Sequence, residues 1–84
     1  MSGLKKLPNI GEILEEKLKK AGIHCPEDLI NLGSREAFRR LRNYDGDGCY
    51  NMLCALEGAI QGVRWHYLSE KDKRSLKEFY MSLK

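Results

Sequence analysis

The sequence predicts an all-α fold, a compact single domain over residues 1–84 built from about five helices. Apolar residues recur at three- and four-residue intervals along almost the whole chain, which is the period of one helix face. Proline, glycine and serine stand where helices start and stop. No segment alternates with the period of a strand, and no repeat of solenoid length appears. The length suits one domain, and 42% hydrophobic with 32% charged residues fits a real core under a polar surface.

Leu4 and Leu7 predict one helical turn ahead of Pro8 that packs back on the helix after it. The first full helix is expected over 11–21, with Ile10, Ile13, Leu14, Leu18 and Ala21 as its apolar stripe. Glu12, Glu15 and Glu16 come early in it and Lys17, Lys19 and Lys20 late, an order that complements the helix dipole. Gly22 ends it. Pro26 at a first helical position, followed by Glu27 and Asp28, starts a short helix with Leu29, Ile30 and Leu32 inward and Gly33 as its stop. Ser34 is expected to cap a helix over 35–43, with Ala37, Phe38 and Leu41 inside.

Asn43-Tyr44-Asp45-Gly46-Asp47-Gly48 predicts a loop. The central helix follows over 49–62, with Met52, Leu53, Leu56, Ala59 and Ile60 inward. Gly58 in its middle costs roughly 1 kcal/mol of helix propensity, so another helix is expected to approach closely there. Val63 to Leu68 form an aromatic connector whose Trp65 and Leu68 are expected to plug the core. Ser69-Glu70-Lys71-Asp72 matches a capping box, which starts a last helix over 70–83 with Leu76, Phe79, Tyr80 and Leu83 inward.

Charged residues interrupt every apolar run, and the first residues lack the apolar stretch of a secretory signal, so the expected location is the cytoplasm and no membrane is a partner. Cys25, Cys49 and Cys54 are odd in number and are read as reduced, small, buried apolar residues. Net charge is a mild +3, but it is unevenly spread. Five lysines oppose three glutamates in 1–22, four arginines oppose one glutamate in 34–43, and 44–62 is acidic. That is a patchy surface, not a uniformly basic arm.

Larger blocks carry a resemblance. Leu7-Pro8-Asn9-Ile10-Gly11, Leu18, Ala21-Gly22-Ile23, Pro26-Glu27-Asp28-Leu29 and Leu32-Gly33 are similar to the opening of the TfoX/Sxy C-terminal domain. Ala37-Phe38-Arg39-Arg40-Leu41, Ala55-Leu56-Glu57-Gly58-Ala59-Ile60-Gln61-Gly62, Trp65 and Leu68 continue it. The resemblance implies an orthogonal bundle of the helix-hairpin-helix or SAM-like kind and a regulatory role in bacterial competence. It implies a protein partner, and double-stranded DNA as a second one. Full-length members of the family carry a separate N-terminal domain ahead of this one.

In helix-hairpin-helix proteins a Gly-hydrophobic-Gly turn feeds a helix whose first amides bind DNA phosphate. Those amides lack intrahelical partners, and the dipole favours an anion there. Asn9-Ile10-Gly11 resembles that turn, with asparagine in place of the first glycine; asparagine tolerates left-handed backbone. Lys5 and Lys6 stand just upstream. The competing reading is a structural turn with solvated lysines, and Glu12 opposes a phosphate. A second basic patch is Arg35, Arg39 and Arg42 on one side of a helix, suited to phosphate or to carboxylates, or simply solvated beside Glu36.

Asn43, Asp45, Asp47 and Gly48 match the first, third, fifth and sixth places of an EF-hand loop, but the twelfth is Cys54, where a bidentate carboxylate is needed. His24, Cys25, Cys49, Cys54 and His66 show no paired metal-ligand spacing. No phosphate-binding loop, dinucleotide fingerprint or nucleophile elbow occurs, and His66 beside Tyr67 makes no catalytic geometry. The expectation is no enzyme, no cofactor and no metal. Either a regulatory interaction module or a purely structural or protein-binding domain fits that set.

Overall fold

The computed structural model describes residues 3–45 and 50–83. A 3-10 turn at Leu4–Lys6 leads into α1 (Glu12–Lys20), α2 (Pro26–Leu32), α3 (Ser34–Asp45) and α4 (Tyr50–Gln61). A second 3-10 turn at Trp65–Tyr67 precedes α5 (Glu70–Ser82), and no strand occurs among the described residues. No helix there is long and apolar enough to cross a membrane.

The punctuation works as its chemistry dictates. Gly22, Gly33 and Gly62 take positive φ, the backbone state only glycine enters without cost. After α4, the Val63 amide donates to Gly58 O at 2.9 Å and the Gly62 amide to Ala59 O at 3.2 Å, so the helix ends in a Schellman motif. At the start of α5, Ser69 Oγ accepts from the Asp72 amide at 3.0 Å, as its capping box predicts.

Two expected core residues stand in water. Ile13 is 74% exposed and Ile30 is 51% exposed. Each residue turns a helix by about 100°, so Leu14, Leu18 and Ala21 share one arc and Ile13 falls roughly 100° away from its centre. Ile30 is off the Leu29 and Leu32 face for the same reason. Trp65 is only half-buried, and its ring stacks on His66 with centroids 4.1 Å apart. The centre belongs to Phe38 and the leucines 4, 18, 29, 41, 53, 56 and 76, with Ile23. Leu68 is buried as expected.

The α3 helix is longer than its sequence suggests, so Asn43 and Asp45 lie in a helix instead of opening a loop. The EF-hand positions Asp47 and Gly48, and Cys49, lie outside the described residues. Cys54 is buried, whereas Cys25 is half-exposed at the start of α2 and is no core residue. The Asp28 backbone amide favours the Cys25 thiolate. Hydrogen bonds to the Glu27 and Asp28 carboxylates outweigh it and hold the thiol above its ordinary range, so it is a poor nucleophile. Tyr50 donates to Lys73 O at 2.9 Å, tying α4 to α5, and burial with a Cys54 hydrogen bond pushes its phenol up to about 12.

Ser34 lies within α3 and is 2% exposed. Its hydroxyl donates to Glu57 Oε1 at 2.6 Å, joining α3 to α4. Gln61 Nε2 donates both to Glu57 Oε2 and to Asp72 Oδ2, which extends the link to α5. Glu57→Ala would strand a buried hydroxyl, so a loss of about 1–2 kcal/mol is expected in urea unfolding. Ser34→Ala removes the buried polar group itself and is expected to cost under about 1 kcal/mol. An equal loss in both variants would refute this asymmetry.

Candidate nucleic-acid interface

The hairpin from Leu4 to α1 is fixed by one side chain. Asn9 takes φ 69°, the left-handed state that its residue type tolerates. Its Nδ2 donates to Val63 O at 3.0 Å and to Ala55 O at 3.4 Å, and its Oδ1 accepts from the Trp65 amide at 3.2 Å. Asparagine therefore fits the turn in two ways, through its own backbone and through a clamp on the end of α4 and the connector beyond it. The clamp grips residues 63 and 65, and so carries Arg64 to the hairpin.

The result is an open cleft of about 510 Å3 lined by Lys5, Lys6, Pro8, Asn9, Gly11 and Arg64. Lys5, Lys6 and Arg64 are exposed, and none makes an ion pair among the described residues. Gly11 caps α1 with extended backbone and no side-chain hydrogen bond, so no side chain of the cap occupies the first amides of the helix. Sequence reasoning missed Arg64. Fifty-odd positions separate it from Lys5 and Lys6, and only the tertiary bonds of Asn9 bring the two together.

Ile10 also lines this cleft, but it is only 6% exposed, because its side chain anchors the hairpin in the core. The arginine face of α3 is divided. Arg35 Nη2 donates to Ser75 Oγ at 2.6 Å, and its guanidinium carbon lies 6.0 Å from the Phe79 ring centre, so it serves the contact with α5. Arg39 and Arg40 lie 3.6 and 3.4 Å from the Glu36 carboxylate. Arg39 and Arg42 line a separate cleft of about 330 Å3 with Asn43 and Leu83. The hairpin is thus the better-assembled cationic site, and the two patches line different clefts.

A third concavity, about 610 Å3, runs between α1 and α4 beside the hairpin. Ile13, Leu14, Met52 and Trp65 line it, with Glu12, Lys17 and Asn51 as polar members. Among the described residues no three His, Cys, Asp or Glu side chains converge as a metal site would need.

Comparison with known proteins agrees with this architecture. The model of the TfoX C-terminal domain matches residues 1–80. The DNA transformation protein TfoX1 of Aliivibrio fischeri (strain ATCC 700601 / ES114) is 34% identical over 74 residues, 87% of this chain and 35% of that protein. The chain therefore spans about a third of that relative's length. An uncharacterized protein from Listeria monocytogenes, solved in a triclinic crystal form, superposes with a TM-score of 0.93 at 52% identity, covering 95% of this chain and 91% of that one. A Listeria monocytogenes protein of unknown function in a tetragonal form gives a TM-score of 0.92 at 51% identity, covering 95% and 99% of the two chains. With the fold, the matched span and the curated relative in agreement, the chain belongs to the TfoX C-terminal domain family, a family associated with competence.

Proposed function

We propose that this domain is a non-enzymatic regulatory module of bacterial competence that acts in the cytoplasm by macromolecular contact. In this reading it touches the phosphate backbone of DNA through the hairpin cleft, alongside a protein partner. One observation carries the DNA contact. Lys5, Lys6 and Arg64 converge, without ion pairs among the described residues, on a helix start that no side chain caps. Oriented amides and close cations are what an anionic backbone needs. The Arg39 and Arg42 cleft is a secondary contact.

Fluorescence anisotropy with a short duplex at two salt concentrations tests this. Affinity is expected to fall steeply with salt, because each phosphate contact releases counterions. Combining Lys6→Glu with Arg64→Glu is expected to lower affinity at least about tenfold and to flatten the salt slope by about two. The purely structural or protein-binding alternative draws on Glu12, whose carboxylate stands at the same helix start. Absence of binding at low salt to duplex and single strand alike would decide for it.

A further inference from the structure

The apolar groove and the basic cleft are adjacent parts of one surface. Gly11 lines both, and the consecutive residues Arg64 and Trp65 belong one to each. Across that boundary the lining changes from cationic to mainly apolar, with Glu12, Lys17 and Asn51 as its polar members. Ile13, 74% exposed, stands at the groove, and the half-buried Trp65 lines it with Leu14 and Met52. A water-exposed isoleucine beside a partly open indole leaves apolar surface unburied, which marks a contact region.

A duplex presents phosphates outward and hides its base faces, so the apolar groove would be idle against it. A single strand presents both, an anionic ribbon with an aromatic face at every nucleotide. Building on the phosphate reading of the hairpin, we propose that the α1–α4 groove takes unpaired bases of a single-stranded nucleic acid whose phosphates lie along Lys5, Lys6 and Arg64. Trp65 and Ile13 supply the stacking and apolar contact. Glu12, poorly placed for a phosphate, accepts hydrogen bonds from the amino groups that an unpaired base exposes. Basic residues next to an apolar platform make this the charge-complementary occupant.

The test uses the 84-residue chain. The probes are a fluorescein-labelled DNA strand of mixed sequence, about 12 nucleotides long, and the duplex of the same strand. The chain has one tryptophan, so its emission reports on the groove directly. The single strand is expected to bind about tenfold more tightly than the duplex and to quench Trp65 emission, as base stacking on an aromatic requires. Ile13→Ser changes an exposed position, so folding is retained, which a thermal melt confirms; it is expected to weaken the single strand about threefold or more and to leave the duplex unchanged. Lys6→Glu weakens both forms.

Equal or tighter duplex binding, unaltered Trp65 emission, or insensitivity to Ile13→Ser each overturns this inference while the phosphate reading stands. Failure of both nucleic acids to bind removes the two readings together and leaves the groove to a protein segment.

Discussion

Gly58→Val is expected to leave the chain unfolded at 37 °C, and Gly58→Ala to lower the melting temperature by about 10 °C. A Cβ at position 58 would lie 2.6 Å from Asn9 Nδ2, 2.7 Å from Val63 O and 3.2 Å from Trp65 Cα. Two of those atoms are backbone, and the third is an amide held by hydrogen bonds to Val63 and Ala55. None is the free end of a flexible side chain, so α4 must separate from the hairpin or from its own connector. Alanine would recover about 1 kcal/mol of helix propensity. Overpacking at a rigid contact costs up to about 3 kcal/mol, leaving a net loss near 2. In a domain of this size each kcal/mol moves the midpoint by about 4–8 °C. Valine adds bulk where no neighbour can retreat. Circular dichroism melts measure the effect, and an alanine variant as stable as the parent would show that the contact relaxes freely.

That glycine also shows where sequence reasoning reaches. Its position in a helix signals a close approach, but the approaching group is the hairpin asparagine and the returning chain instead of another helix. Helix identity and order were legible because stops and caps are local: Gly22, Gly33 and Ser69 act on residues within four positions of themselves. Core membership was less so. Counting Ile13 and Ile30 as core followed their apolar character, while burial follows the angle around the helix.

The site was half legible. Lys5, Lys6 and the turn are contiguous, and asparagine's tolerance of left-handed backbone is intrinsic, as its φ of 69° bears out. Arg64 reaches the hairpin only through bonds between residues 9, 63 and 65, and no local pattern encodes such a contact. The arginine face is divided for the converse reason. Periodicity places Arg35, Arg39 and Arg42 together, but the packing of α5 on α3 draws Arg35 onto Ser75 and Phe79 and leaves the others to a separate cleft.

Asn9→Ala is expected to destabilise the domain by about 3 kcal/mol, and Asn9→Gly by about 2. Both variants lose the bonds to Val63 O and from the Trp65 amide, worth about 1 kcal/mol each. Alanine also carries the roughly 1 kcal/mol cost of a left-handed backbone, which glycine does not. Asn9→Asp keeps the acceptor for Trp65 but sets a carboxylate against the carbonyl oxygens of Val63 and Ala55, so it should fall below glycine. Urea unfolding of the three variants orders them, and equal losses for alanine and glycine would remove the backbone contribution. A second readout separates the clamp's stabilising role from its placing of Arg64. Well below its melting point, the folded Asn9→Gly domain keeps Lys5 and Lys6 but no longer holds Arg64 against the hairpin. Its salt dependence of nucleic-acid binding should then drop by about one phosphate contact. An unchanged slope in a folded Asn9→Gly domain would mean that Arg64 finds the backbone without being held there.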